Sequence, residues 1–331
     1  MKKIRLAIIG CGGMGGAHTY WLKSNPDVQI VGLVDLTTEI LRTFADRTLS
    51  DYQTAPAMFT DCAAMYREVK PDAVVIATPH TLHFEQGMQA LKAGCHVLME
   101  KPMVTSAAHA YKLAAEVKKR KKVFVIGYNT PCTPEFFYTR DVIRKKTLGR
   151  LELVSGYLAQ GWLKATIGLW RQNPSLSGGG QAYDSGAHIL NSLCWSVESD
   201  ISEVFAFVDN HGSSVDINSS INVRFANGVL ASIIISGNCP ADGASMHFMF
   251  ENGRIDIDGW SGSWINVFHG NQKLKYPSIP GGSQPPDVNF IDAIRGRAEP
   301  RTTPANGIVQ SELMDAIYES ARTGKPSRPK R

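Results

Sequence analysis

From Ile4 to about residue 128 the chain alternates short, β-branched apolar runs with helical patterns, and this alternation most limits what it can fold into. The runs "IRLAIIG", "VQIVGLVD", "DAVVIAT", "CHVLMEK" and "VFVIGYN" are apolar almost throughout rather than at every second position. Such strands are buried on both faces, so the intervening helices must cover both sides of a parallel sheet. The expectation is a doubly wound α/β domain over residues 1–128.

After the helix-like "TPEFFYTRDVIRKK" the texture changes. "INVRFANGVLASIII" reads as a hairpin turning at Asn227 and Gly228, "MFENGRIDI" as one turning at Asn252 and Gly253, and "WINVFHGNQKLKY" as a third. Hairpins build antiparallel sheet, so residues 129–331 are expected to form a second domain of different architecture. The closing helices, about 286–323, are "PDVNFIDAIRGRAEP" and "NGIVQSELMDAIYESARTG", with Gly296 and Gly324 as terminators. They are placed as able to pack back on the first domain, and "SIPGGSQPP" (Ser278 to Pro286) reads as a long flexible loop.

At 331 residues the chain has room for about two domains with cores of their own. A hydrophobic fraction of 43% and a charged fraction of 20% are those of a soluble globular protein. No apolar run approaches the ~18 residues of a membrane span. "MKKIRLAIIGCGG" reads as a first strand rather than a signal peptide, because glycines interrupt the apolar run and no small-residue cleavage site follows. On that reading a cytoplasmic protein is expected. The six cysteines form no CxxC pair, which argues against a disulfide framework and a structural metal site. The formal charge of +5 is mild, and part of it sits in "KKRKK" (Lys118 to Lys122). That run could bind nucleic acid, but cations at a helix end complement the helix dipole, and this reading is preferred. Neither a nucleic-acid nor a membrane partner is expected.

"AIIGCGGMGGAH" contains GxGxxG as Gly10, Gly12 and Gly15, after an apolar strand and before a helical stretch. In that context Gly10 permits a tight turn, Gly12 lets backbone approach a pyrophosphate, Gly15 lets helix pack on strand, and the helix N-terminus faces the negative charge. Asp35 ends the second run, twenty residues beyond Gly15. Its carboxylate would accept hydrogen bonds from an adenosine ribose and repel a 2′-phosphate, which selects NAD over NADP.

Ligands of doubly wound sheets sit beyond the carboxyl ends of the strands. "DAVVIA" is followed there by Thr78, His80 and His83, and "CHVLM" by Glu100, Lys101 and Pro102. The two histidines read equally as caps or as cofactor neighbours. Lys101 either snorkels to solvent or, fixed by the following proline, projects its ammonium towards a nicotinamide; the cradle in the same domain favours the second reading. Further on, "SGGGQAYDSGAHILN" runs three glycines into polar residues. A helix starting near Ala182 would stack Asp184, His188 and Asn191 on one face, with the carboxylate orienting the imidazole and raising its pKa.

GxGxxG with a strand-end aspartate, "EKP", "WR" (Trp170, Arg171) and "GGGxxxDxGxH" together resemble the Gfo/Idh/MocA family of NAD(P)-dependent oxidoreductases, over essentially the whole chain. The resemblance implies an N-terminal Rossmann domain and a C-terminal α/β domain with a large, mostly antiparallel open sheet that commonly mediates dimer or tetramer assembly. It also implies sugar, cyclitol or related substrates, and it matches Lys101, Asp184 and His188 to the family's catalytic positions. Departures occur at His80, Gln181, Tyr183 and Asn191. With the motifs, the expected cofactor contacts are Gly10, Gly12, Gly13, Met14, Gly15, Asp35, Thr78, His80, His83, Glu100, Lys101, Asn129, Trp170 and Arg171. The expected substrate contacts are Lys101, Tyr157, Trp162, Gln181, Tyr183, Asp184 and His188. Three readings follow: a dehydrogenase with His188 as acid/base and Lys101 stabilising an alkoxide, an NAD-dependent glycosidase working by transient oxidation and elimination, and a non-catalytic binding protein.

Overall fold

The computed structural model describes residues 2–276 and 284–330, and the chain divides into two compact units, each assembled from three segments. The first comprises Met1–Thr105, His109–Gly127 and Pro285–Ala305; the second comprises Ser106–Ala108, Tyr128–Gln284 and Asn306–Arg331.

In the first unit six parallel strands lie in the order β3-β2-β1-β4-β5-β6. They are β1 (Ile4–Ile9), β2 (Val28–Val34), β3 (Ala57–Phe59), β4 (Ala73–Ile76), β5 (His96–Met99) and β6 (Phe124–Ile126). Five coincide with the apolar runs. The edge strand β3 escaped sequence reading because its three residues are half-buried or exposed and carry no apolar periodicity. Helices α1 (Gly13–Lys23), α2 (Thr38–Thr48), α3 (Cys62–Val69), α4 (His83–Lys92) and α5 (Ala107–Arg120) alternate with the strands. Lys118, Lys119 and Arg120 form the last turn of α5, where they meet the carbonyl end of its dipole. Leu6, Ile8, Ile30, Leu33, Val75 and Leu98 make one core with Leu41 and Phe44 of α2. Each such side chain stabilises by about 1.5–3 kcal/mol when fully buried.

The second unit is built on an eight-stranded sheet ordered β14-β13-β12-β11-β7-β10-β9-β8. Its strands are β7 (Leu151–Ala159), β8 (Ile201–Asp209), β9 (Asn218–Phe225), β10 (Leu230–Ser236), β11 (Gly243–Phe250), β12 (Gly253–Asp258), β13 (Ile265–His269) and β14 (Gln272–Leu274). β7 and β10 pair in parallel and the other neighbours are antiparallel. The hairpin β9–β10 turns at Asn227 and Gly228, the latter at φ 91°. The next hairpin turns one residue earlier than expected, at Glu251 and Asn252. Gly253 belongs to β12, where a Cβ would stand 2.1 Å from the Phe268 carbonyl oxygen; this glycine serves close strand approach rather than the turn.

Helices α6 (Pro134–Lys145), α7 (Trp162–Ala165), α8 (Pro174–Ser177) and α9 (Gly186–Val197) belong to the second unit. α10 (Pro286–Ile294) belongs to the first, where Phe290 and Ile291 join the core, and nearly all of α11 (Pro304–Thr323) to the second. α6, α9 and α11 place Phe136, Ile189, Leu193, Leu313 and Ile317 in one core with Val154, Ile233, Met246 and Phe248 of the sheet. The other face leaves Tyr157, Phe207, Leu230 and Ile234 exposed. The expected loop Ser278–Pro286 falls outside the described residues up to residue 283, and Pro286 already opens α10. Among the described residues no helix is long and apolar enough to cross a membrane.

Candidate active site

The first unit builds its site on the loop joining β1 to α1, beside β4, where the strand order reverses. Gly10 has φ 95°, and a Cβ there would stand 2.6 Å from the Ala77 carbonyl oxygen. A Cβ at Gly15 would stand 2.0 Å from the Gly10 carbonyl oxygen, so α1 and its own loop close on each other only through glycine. At Gly12 and Gly13 a Cβ would meet nothing within 4 Å, leaving an open approach to the start of α1. No side chain caps that helix. Its first N–H groups, at Gly13, Met14 and Gly15, are oriented for an anion, and the loop therefore fits a dinucleotide pyrophosphate.

Asp35 sits just past β2, its Oδ2 accepting the Cys11 amide at 2.6 Å and its Oδ1 the Leu36 amide at 2.6 Å. The carboxylate thus holds the glycine loop as well as standing where a ribose acceptor is expected. Arg47, which sequence reasoning missed, has a guanidinium nitrogen 3.7 Å from the Cβ position at Gly16. Asp35→Ala should remove the repulsion of a 2′-phosphate while leaving that cation in place, so the preference for NADH over NADPH is expected to shrink about tenfold or more. Fluorescence titration of the two reduced cofactors checks this, and an unaltered preference would refute the discriminating role of Asp35.

Beyond β4, Thr78 donates its hydroxyl to Gln86 Oε1 at 2.6 Å, and His80 lies buried in a short 3-10 turn. His83 is fully buried, with Nδ1 2.8 Å from the Pro102 carbonyl oxygen and Nε2 2.9 Å from that of Thr78. Burial lowers its pKa against the pull of those carbonyls. This corrects the expectation for His83: both ring nitrogens face backbone, and the residue is scaffold rather than a cofactor contact.

After β5, the amide of Lys101 donates to Oε2 of buried Glu100 at 3.2 Å, and the Lys101–Pro102 peptide is cis. Glu100 Oε1 lies 3.0 Å from His18 Nε2, and His18 Nδ1 lies 2.7 Å from Asp287 Oδ1 on α10. Sequence reasoning missed both His18 and Asp287, since partners 269 positions apart leave no local signal. Burial alone would lower the His18 pKa, but Asp287 and Glu100 outweigh it and push it up to about 10. A folded value above the ordinary 6.5 means that this charge stabilises fully below pH 6.5, and that the contribution is lost as pH rises towards 10. His18→Gln should therefore lower the urea midpoint most at about pH 6 and flatten its decline between pH 6.5 and 10. Parallel stability profiles for the two proteins would refute this linkage.

In the second unit each glycine of "GGG" has its own cause. Gly178 ends α8 at φ 76°. At Gly179 a Cβ would lie 2.4 Å from both the Tyr183 ring and the Tyr318 hydroxyl, and at Gly180 it would lie 2.0 Å from the Asp216 carbonyl oxygen. The Asp216 carboxylate accepts the Gly180 amide at 2.6 Å, the Ala182 amide at 2.8 Å and the Tyr318 hydroxyl at 2.5 Å. These bonds hold residues 181–185 as a turn, so α9 begins at Gly186 and not near Ala182. Asp184 consequently precedes the helix instead of stacking on its face with His188 and Asn191. Its Oδ2 accepts from Trp162 Nε1 at 2.8 Å and from Arg171 Nε at 2.9 Å, and the Arg171 guanidinium lies 4.7 Å from the Trp170 ring centroid. Of the Trp170–Arg171 pair expected at the cofactor, Arg171 bonds Asp184 while Trp170 packs against the Arg171 guanidinium. Asn129 is exposed at the head of a short 3-10 turn.

His188 is nearly buried, with the Tyr128 ring edge-on at 5.8 Å and the Trp260 ring tilted at 4.7 Å. Its helix is tied down by Ser192, whose hydroxyl donates to the His188 carbonyl at 2.9 Å, and by Gln310, which bonds both Asn191 and the Ala187 carbonyl. Two substrate expectations are corrected here. Tyr183 is buried, stacked on Tyr318 at an interplanar angle of 12°, and supports the glycine turn. Tyr157 projects from the sheet face opposite α9, because Gly156, one position away, is the residue packed against Ile189. Gln181 is wholly buried and donates to Gln160 Oε1 at 3.2 Å.

A sheet in 3-2-1-4-5-6 order, a glycine loop at its switch point and an acidic residue after the second strand define a dinucleotide-binding protein of the doubly wound class. Residues 4–128 match the model of the oxidoreductase family with the NAD-binding Rossmann fold, and residues 136–256 match the GFO/IDH/MocA C-terminal domain. The chain belongs to the Gfo/Idh/MocA family, and its first domain is that family's NAD-binding Rossmann fold. Inositol 2-dehydrogenase of Rubrobacter xylanophilus is 24% identical over 99% of this chain and 93% of its own length. Glycosyl hydrolase family 109 protein 2 of Akkermansia muciniphila is 29% identical over 46% of this chain and 33% of its own. The structure of levoglucosan dehydrogenase with NADH and levoglucosan superposes with a TM-score of 0.86 over 100% of both chains at 20% identity, a likeness of fold.

Proposed function

We propose that the protein oxidises a secondary alcohol of a sugar, cyclitol or glycoside, and that His188 is its acid/base. The observation that carries this reading is the placement of His188: a nearly buried imidazole held between two aromatic rings, on a helix entered through the anchored Asp184 turn. NAD, when bound, supplies the hydride acceptor. His188 takes the hydroxyl proton, Lys101 hydrogen-bonds the oxygen as it gains negative charge, and Asp184, anchored by Trp162 and Arg171, orients the turn that leads into the histidine. The reverse reaction uses the same groups with His188 protonated. The similarity to inositol 2-dehydrogenase supports a polyhydroxylated ring as substrate.

The similarity to a family 109 glycosyl hydrolase supports a second reading, in which transient oxidation acidifies a neighbouring C–H and permits glycosidic elimination. One experiment separates the two. Cyclitols, aldoses, glycosides and sugar acids are offered with NAD or NADP, and both reduced cofactor and released aglycone are measured. Accumulating NADH identifies the dehydrogenase; aglycone release without net NADH identifies the glycosidase. Absence of both across the panel would sink each.

We also propose a cytoplasmic homodimer or homotetramer assembled through the open sheet face, where register aligns Phe207, Ser220, Ile234 and Tyr157. Ile234→Lys should shift the mass read by light scattering towards the monomer, and an unchanged mass would exclude this face.

A further inference from the structure

Resting on the oxidoreductase reading, we infer that the second unit holds a subsite for a second sugar ring beside His188, so that the substrate is a glycoside rather than a free monosaccharide or cyclitol. A cavity of about 300 Å³ opens where β7 ends and β11 begins, lined by Gln160, Asp242, Trp260 and Ser261 among others. That is the small end of the range for ligand clefts, about 300–1,000 Å³, and room for one further ring. Trp260 is the shared wall, because the same side chain lines the cavity and lies against the His188 ring.

The wall is built to stay in place. Buried Asp258 accepts the Trp260 amide at 3.0 Å, the Ser261 hydroxyl at 2.6 Å and the Ser263 amide and hydroxyl at 3.0 and 2.7 Å. An indole left 37% exposed on so constrained a loop is an apolar plate kept available at the cavity mouth. Around it stand polar groups with spare capacity. Asp242 Oδ1 accepts the Gly161 amide at 3.1 Å, while its Oδ2 has no partner among the described residues. Gln160 Oε1 is engaged by Gln181, while the Gln160 carboxamide nitrogen has no side-chain partner among the described residues.

An apolar plate, a carboxylate acceptor and an amide donor match the faces of a pyranose: its C–H face lies on the indole, a pair of hydroxyls donates to the carboxylate, and a third hydroxyl accepts from the amide. A purely apolar substituent would cover Asp242 and Gln160 without replacing their hydrogen bonds to water. A phosphorylated one would face Asp242 and Asp258 with no cation among the lining residues. The neutral sugar is the class that leaves none of these groups in deficit.

The test compares glucose and myo-inositol with cellobiose, maltose, trehalose and sucrose, using NAD and the wild-type, Trp260→Ala and Asp242→Asn proteins. Turnover is read as NADH, and sugar binding in the presence of NAD is read by calorimetry. At least one disaccharide should exceed both single-ring compounds about tenfold or more in kcat/KM, and both variants should cut that ratio to within about threefold. Glucose or inositol turned over as well as every disaccharide would overturn the subsite while leaving the oxidoreductase reading standing. Disaccharide binding that Trp260→Ala abolishes, without NADH from any sugar, would support the subsite and overturn the oxidation. Neither turnover nor binding of any disaccharide would overturn the inference. Should Trp260→Ala fail to fold, judged by its melting curve, exposed Asp242→Asn decides alone.

Discussion

His188→Asn and Lys101→Met should each lower turnover by about a hundredfold or more while NAD binding is largely kept. Asparagine preserves a polar group of similar reach at position 188 but cannot accept and return a proton near neutral pH. Methionine fills the volume of the lysine stem and withdraws the ammonium, so an oxygen gaining negative charge loses its stabilising donor. Neither change touches the pyrophosphate loop, since Gly10 and Gly15 are shaped by backbone contacts with Ala77 and with each other, and Gly12 faces open space. NADH fluorescence titration should consequently give near-native affinity in both variants, with the loss confined to kcat. Near-normal turnover in both would reject the assignment of acid/base and alkoxide donor.

Gly180→Ala should be the most damaging single-methyl change in the second unit. The new Cβ would lie 2.0 Å from the Asp216 carbonyl oxygen and 2.8 Å from its carbonyl carbon and amide nitrogen. All three are backbone atoms, so no side chain can swing aside. Relief requires Asp216 to move, and its carboxylate holds two amides and the Tyr318 hydroxyl. Overpacking alone costs about 1–3 kcal/mol, and each charge-assisted bond that is lost adds about 1.5–3 kcal/mol. A loss on the order of 3 kcal/mol or more from the second unit follows, read by calorimetry as a lowered transition. Turnover should fall with it, because Asp184 stands on the displaced turn, while NADH binding by the first unit persists. A variant that melts like wild type would show that the glycine loop tolerates the displacement.

The parts of this protein legible in its sequence are those written in local periodicity. Five strands of the parallel sheet, the hairpin at Asn227 and Gly228 and the cradle residues Gly10, Gly12 and Gly15 all announce themselves within a dozen positions. Contacts between distant positions did not. Asp216 decides where α9 begins, yet nothing near Ala182 records it, and the helical spacing of Asp184, His188 and Asn191 therefore suggests a single face that the structure does not form. His18 carries no local signal of its role, because its partner Asp287 is supplied by α10 near the other end of the chain. Tyr157 and Tyr183 stand among the expected substrate contacts, but strand alternation turns one to the open sheet face and the glycine turn buries the other.

The membership of α10 in the first unit has a consequence for the order in which the protein comes into being. A ribosome makes β7 to β14 before it reaches Asp287, Phe290 and Ile291, so the nascent nucleotide-binding sheet lacks part of its core and the Asp287 partner of His18 until α10 follows. The unit encoded first is thus finished after the sheet that is encoded later, and cofactor capture should begin only once synthesis has passed residue 305.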